Sequence, residues 1–475
     1  MEKLNEIIGK ISDLVWGLPL IILILFVGIL YTLRLRGLQI RKLPKALKYM
    51  LKNEEEGVGE VSSFGALCIT LSATIGTGSI VGVAMAISIG GPGALFWMFV
   101  MSMLGMATKY AEGFLAIKYR KLNEDGTTTG GPYSYIEYGM GKKWKWLAIT
   151  FAVLGLCAGC MGIGTSTQVT GITEAFENIF LNENTKFVNI LGNNVSIIAI
   201  VVGSIITILT ALVLIGGIKR IESVCTLIVP VMAVGYVLIC LFLCIYNIKA
   251  IPAAFKEIFI DAFNVKAIGG GFTGTLLVVI QTGVAKGIFS NESGLGSTPI
   301  ASSTAKTKDP VRQGLVLMTG TFITAIICIM TGLGIVIGKT WTNDLGYEGI
   351  NITIEAFKRT LPFPDIISAL VIALSITFFA FTSIVGWNVY GVRCLNYLTK
   401  NNKKAEIIYK IAWILAVFIA PYLTLTVIWK LADIFNGLMA LPNLVALIAL
   451  SGVVSKETRK YFIPTLATSE EEKKA

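Results

Sequence analysis

The sequence predicts an all-α polytopic membrane protein of about eleven transmembrane helices, with ten forming a five-plus-five inverted repeat behind one extra N-terminal helix. Three observations carry this expectation. Hydrophobic residues fill 54% of the 475 positions and charged residues only 15%, with a mean hydropathy of +0.75, far from the balance of a domain that faces water on all sides. The apolar runs are long and separated by short polar links, which suits helices crossing hydrocarbon; a membrane β-barrel shows alternating segments of about ten residues instead. Two runs, the first and sixth after the opening helix, are interrupted by glycine and hydroxyl residues at corresponding places.

In chain order, the opening run "VWGLPLIILILFVGILYTL" covers 15–33. It is too long for a signal-peptide core, lacks a small-residue cleavage site, and is followed rather than preceded by Arg34 and Arg36, so it reads as a retained span. The basic link "RLRGLQIRKLPKALKYMLK" comes next, where "KALKYMLKNEEE" fits an amphipathic surface helix and a solvated link equally well. Further spans are expected over 62–90, 93–117, 145–175, 196–217, 222–247, 268–300, 313–338, 365–394, 406–428 and 430–455. The uncharged "SIGGPGAL" makes the turn between the second and third runs.

Every second link is basic: Arg34 to Lys52, Lys118 to Lys145, Lys219 and Arg220, Lys306 to Arg312, Arg393 to Lys410, and Lys456 to Lys474. The link "ITEAFENIFLNENTKF" on the opposite side is net acidic. By the positive-inside rule this places the N-terminus outside and the C-terminus in the cytoplasm of a cell-membrane protein. Four regions follow: 1–60 for the extra helix and its cytoplasmic link, 61–250 and 251–455 for the two five-helix halves, and 456–475 for a polar tail.

The same placement excludes other classes. The formal charge of +11 sits at span ends against the lipid bilayer, so no nucleic acid is expected as a partner. Histidine is absent, the eight cysteines lie in apolar runs, and Cys157 with Cys160 lacks the second pair of ligands a zinc site needs. "GLGIVIGKT" resembles a phosphate-binding loop, but Leu333 stands where that motif requires glycine. Glu112, Glu292 and Asp433 are well separated along the chain, so no catalytic pair is legible. The expectation is no enzyme and no cofactor.

The interrupted spans carry the chemistry. "TIGTGS" (74–79) and "IQTGVAKG" (280–287) would break helices near the membrane midplane, exposing amides and carbonyls that hydrocarbon cannot satisfy. One glycine-rich span is as well explained by packing, since Gly78 and Gly82 form a GxxxG contact face. Two at matching places favour a site, with Ser72 to Ser79 unwound. Half-helix N-termini suit an anion such as a carboxylate, and C-terminal carbonyls suit a small cation, so a zwitterion with sodium fits both. In "ITFFAFTSIVGWNVYG" the hydroxyls of Thr382 and Ser383, with the carbonyls of Ser72, Ile75 and Phe379, are the candidate cation shell. The ordinary alternative is that both hydroxyls bond back to their own helix. Trp387, one turn on, would wall the pocket. Gln168, in "GIGTSTQVTGI", is balanced between a cross-helix hydrogen bond and a substrate contact.

The strings "GGPGALFWMF", "TGGPYSYIEYGMG", "AKGIFSNESGLGSTPIASSTA" with "DPVRQG", "FAFTSIVGWNVYG" and "WKLADIFNGLMALPNLVALIALSG" together resemble the alanine or glycine:cation symporter family over residues 62 to 455. The resemblance implies a leucine-transporter-like fold and sodium-coupled import of alanine or glycine by alternating access. It implies substrate contacts from Thr77, Gly78, Ser79, Gln168, Gln281, Thr282 and Gly283, a sodium site at Thr382, Ser383, Ser72 and Ile75, and a size-limiting cap at Trp387. The chain departs from the family pattern at Ser79, where asparagine is usual, at Thr324, where the family carries Asp, and at Ser134, where it carries Tyr. The alternatives on the same scaffold are proton coupling and a non-concentrative channel or sensor.

Overall fold

The computed structural model describes residues 2–52, 57–124, 126–190, 193–263, 272–342, 346–422 and 425–462. The helices, in order, are α1 (Glu2–Val15), α2 (Leu18–Arg34), α3 (Leu43–Leu51), α4 (Ser63–Thr74), α5 (Val81–Gly90), α6 (Gly93–Lys118), α7 (Lys145–Ala158), α8 (Ser166–Phe180) and α9 (Ile197–Ile215). They continue as α10 (Gly217–Tyr246), α11 (Ile251–Ala262), α12 (Phe272–Asn291), α13 (Thr298–Ser302), α14 (Pro310–Gly338), α15 (Ile350–Thr360), α16 (Asp365–Thr399), α17 (Lys403–Ile419) and α18 (Leu425–Phe462). Among the described residues, eight helices are long and apolar enough to cross a membrane, and 18–34, 63–74, 81–90 and 276–291 are shorter apolar helices. Together these fall on every span expected from the sequence, with residues 268–271 and 423–424 of those spans outside the described residues.

Local chemistry starts the helices where backbone N–H groups would otherwise be orphaned. The Ser62 hydroxyl accepts from the Gly65 N–H at the head of α4, and Ser196 accepts from Ala199 at the head of α9. Asp309 accepts from Val311 and Arg312, with Pro310 in the first turn of α14. The "KALKYMLK" link forms α3, while residues 53–56 of that stretch lie outside the described residues. The "GGPG" turn runs as expected between α5 and α6, where the Gly93 N–H donates to Asp261 at 2.8 Å. A side chain at Gly93 would collide with the backbone of Ala262, so glycine lets α11 close over this turn.

At the core are α6, α14 and α16, while α9, α10 and α17 turn large apolar side chains outward. Outward Leu, Ile and Val in such helices are matched to lipid rather than water. Helix α2 is pinned to α18 by the Tyr31 hydroxyl on the Leu447 carbonyl, 2.6 Å, and by the Arg34 guanidinium on Ser451.

The two ends of the bundle differ. At the end carrying the basic links, residues 60–61 run beside 304–306, with Glu60 N–H on the Thr304 carbonyl and Lys306 N–H on the Val61 carbonyl, both 2.8 Å. The Arg120 guanidinium fans onto the carbonyls of Val58, Ser303, Ala305 and Thr307. Arg393 pairs with Glu60. The opposite end holds a cavity of about 1040 Å³, lined by Val81, Met85, Glu174, Glu348, Lys430 and Asp433 among others.

The structure corrects the sequence reading in two places. Helix α12 runs unbroken through Gln281, Thr282 and Gly283; the second break falls about ten residues later, at 292–297, where Glu292, Gly294 and Gly296 take φ of 54°, 87° and 80°. The expected span 145–175 is also interrupted, over 159–165, between α7 and α8.

Candidate functional site

The first break is built from backbone. Helix α4 stops at Thr74, Gly76 is extended (φ −119°, ψ −151°), Thr77–Ser79 form one 3₁₀ turn, and α5 restarts at Val81. Ser72, Thr77 and Ser79 are fully buried, so each freed N–H and C=O needs a partner. The Thr77 N–H donates to Gln168 Oε1 at 3.1 Å, and Gln168 Nε2 donates to the Ile163 carbonyl at 2.9 Å. Gln168 is thus a cross-helix brace that satisfies the break. The Thr77 hydroxyl is buried with no hydrogen-bond partner among the described residues.

Helix α16 presents its two hydroxyls differently, because consecutive helical residues point about 100° apart. Ser383 Oγ donates to the Ser72 carbonyl at 2.7 Å and lies 3.4 Å from the Ala73 carbonyl. Thr382 Oγ1 bonds back to the carbonyls of Phe378 and Phe379, 2.9 and 3.1 Å, beside the Met232 sulfur. Of the expected cation shell, Ser383 and Ser72 meet across the break, Ile75 ends the same helical turn, and Thr382 and Phe379 are hydrogen-bonded to each other.

Ser79 meets the end of α12: its hydroxyl lies 3.2 Å from that of Ser290, which lies 3.0 Å from the Cys328 sulfur. Gly78 abuts Phe289 and Ser290. The first break, through 77–79, therefore meets the last turn of α12 at 289–290, just before the second break. Gln281, Thr282 and Gly283 are elsewhere: Gly283 packs on the Ala94 carbonyl and Trp97, and Thr282 on Gly90. The glycine that looked like a helix breaker is a close-packing residue.

The second break is held by charged and polar side chains that sequence reading left apart, although Glu112 Oε2 and the Ser293 hydroxyl are buried with no hydrogen-bond partner among the described residues. Glu112 Oε1 accepts from the Gly296 N–H at 3.2 Å and from Asn443 Nδ2 at 2.7 Å, and Asn443 also holds the Gly294 carbonyl at 2.8 Å. Tyr135 donates its hydroxyl to Asn443 Oδ1. Glu292 accepts from Ser297 and from the Trp387 indole N–H, the latter at 3.0 Å. Lys109 bonds to Thr298 and stands 4.0 Å from Glu112. All three ionisable groups are 0–3% exposed. Trp387, expected as a pocket wall, is buried and ties α16 to this second break. The available signal was Lys109 and Glu112 three residues apart in an apolar helix, since ionisable residues inside a span are rare without a partner.

Neutral hydroxyls, an amide and carbonyls converge at the first break, the large cavity reaches Val81 two residues beyond it, and no catalytic constellation is present among the described residues. The sodium:alanine symporter family matches residues 1–475. An uncharacterized transporter of Haemophilus influenzae is 46% identical over 97% of this chain and 96% of its own length. The sodium/alanine symporter AgcS of Methanococcus maripaludis is 40% identical over 96% of this chain and 97% of its own length. Among solved structures, MhsT in complex with L-phenylalanine superposes with a TM-score of 0.54 at 13% identity, covering 84% of this chain and 98% of that one; the likeness shows the fold, which is leucine-transporter-like. The chain belongs to the sodium:alanine symporter family, whose members are membrane transporters and not enzymes.

Proposed function

We propose that this chain imports a small neutral amino acid, alanine or glycine, with sodium by alternating access across the cell membrane, its N-terminus outside and C-terminus cytoplasmic. The observation that carries the reading is the buried, unpartnered Thr77 hydroxyl on an unwound turn: an orphaned polar group at membrane depth calls for an occupant with polar atoms. The substrate carboxylate would lie against the turn of Thr77, Gly78 and Ser79, with Gln168 bracing it and Trp387 limiting size from α16. Gln281, Thr282 and Gly283 are not part of this set.

Sodium would be held by the Ser383 hydroxyl with the Ser72 and Ile75 carbonyls. In the structure the Ser383 hydrogen is directed at the Ser72 carbonyl; rotating it away aims both oxygens at one cation. Thr382 and the Phe379 carbonyl join the shell once their mutual bond opens. Because the ion would clamp α4 to α16, it would order the turn that meets the substrate, and the two affinities would rise together. The two halves, 61–250 and 251–455, would then move against each other, with 1–60 and 456–475 as attachments. The joined inner end and the cavity at the other end support an outward-facing arrangement.

Purified protein in proteoliposomes tests this: radiolabelled alanine should accumulate when sodium is higher outside. Equal accumulation with and without a sodium gradient would sink the coupling. A proton-coupled reading is favoured by one observation, two buried carboxylates against a single lysine at the second break. Accumulation driven by a pH gradient in sodium-free buffer would establish it instead.

A further inference from the structure

We propose that the inner end of α2 and α18 encloses a binding site for the phosphate of an anionic phospholipid. A cavity of about 380 Å³ opens there, lined by five cations, Arg34, Arg36, Arg41, Lys42 and Arg459. Among the described residues no carboxylate lines it, and Glu457, one turn from the tip of α18, is paired with Lys118.

The fold gathers these charges deliberately in space. Arg34 ends α2, and Arg36 and Gly37 both take left-handed conformations (φ 56° and 66°), which reverses the chain so that the following Leu38–Arg41 turn stands beside α18. An arginine at positive φ is uncommon and strained. The hydrogen bonds fixing the guanidiniums go to neutral acceptors: Arg34 to the Ser451 hydroxyl, Arg41 to the Arg36 carbonyl at 3.2 Å, and Arg459 to the Arg34 carbonyl at 3.4 Å. These contacts hold the positions without neutralising the charge, and Lys42 stands over the Phe462 ring at 4.7 Å, so five like charges meet with no anion among the described residues beside them.

The lining specifies the anion. The cavity sits where two apolar helices end, and Leu35, Leu38 and Phe462 give its wall an apolar part. Planar guanidiniums bind phosphate oxygens in pairs, and basic pockets between helix ends on the cytoplasmic side suit anionic headgroups. A phospholipid phosphodiester would therefore bridge the α2 turn to α18, stapling the extra N-terminal helix to the bundle.

Native mass spectrometry of the detergent-purified full chain, titrated with phosphatidylglycerol or phosphatidylcholine, tests the site without any transport step, so its result is independent of the symport reading. Wild type should retain phosphatidylglycerol in preference to phosphatidylcholine, and R36Q/R41Q should bind it roughly thirtyfold more weakly, from about 1 kcal/mol per cation. K42Q, a milder change, should give roughly fivefold. Equal retention of both lipids, or unchanged phosphatidylglycerol binding in both variants, would overturn the proposal. Displacement of phosphatidylglycerol by millimolar inorganic phosphate would show a free-anion site and overturn the lipid assignment.

Discussion

The two helix breaks solve one problem in opposite ways. Around the first break, the Gln168 amide accepts from the Thr77 N–H, the Ser383 hydroxyl meets the Ser72 carbonyl, the Ser290 hydroxyl meets that of Ser79, and the Thr77 hydroxyl is left without a partner among the described residues. At 292–297 the freed backbone is answered by Glu112 and Asn443, while Glu292 accepts from the Ser297 hydroxyl and the Trp387 indole and Lys109 stands 4.0 Å from Glu112. A neutral lining with spare valence can exchange partners with a solute at low energy. A charged lining whose members hold one another cannot, because removing a partner leaves a charge exposed to a low dielectric. Under the proposed function, the first break would serve binding and the second would keep the bent backbone in place.

The largest expected effect tests the second half of that contrast. Glu112→Ala strips the acceptor from the Gly296 N–H and removes the carboxylate 4.0 Å from Lys109, a loss of about 3–5 kcal/mol. Thermal unfolding of the detergent-solubilised variant should show a large drop or little folded protein; wild-type stability would refute the supporting role. Gly76→Ala comes next. A Cβ there would stand 2.4 Å from Ser383 Oγ and 2.9 Å from Gln168 Oε1, so alanine uptake should fall roughly tenfold or more while the fold persists. Full uptake would mean that the close approach of α16 to the break is dispensable.

Gln168→Ala leaves the Thr77 N–H without its acceptor. A loss of about 1–3 kcal/mol predicts a rise in KM for alanine of roughly tenfold, and an unchanged KM would remove the brace from the binding argument. For Ser383→Ala the readout is sodium: half-maximal activation should require about fivefold more of it, and an unshifted sodium curve excludes that hydroxyl from the ion site. Ser79→Asn is the mildest. Placing a longer amide beside Ser290 should lower KM severalfold, and a higher KM would show that the site is shaped around serine.

The spans were readable because burial in lipid demands long apolar runs whatever the tertiary contacts. The first break was readable because "TIGTGS" puts two glycines and three hydroxyl residues into such a run. The second was misplaced for a physical reason. Gly283 serves close packing against the Ala94 carbonyl, and a packing glycine looks like a breaking one until the neighbouring helix is known. The true break at Gly294 and Gly296 is marked by positive φ, which sequence does not display. Nor does it display that Glu112 and Glu292, 180 positions apart, share one buried cluster. Gln168 was weighed evenly between brace and ligand, and the contact with Thr77 supplies the brace.

The fan of Arg120, at the end carrying the basic links, bears on tempo. One guanidinium holds the carbonyls of Val58, Ser303, Ala305 and Thr307, so it adds four bonds to the direct backbone pairing between the approach to α4 and the exit from α13. In an alternating-access cycle these bonds would be surrendered nearly together rather than one after another, which makes opening abrupt and infrequent. Arg120 would then act as the escapement of the cycle, setting how long the protein waits before its contents pass inward.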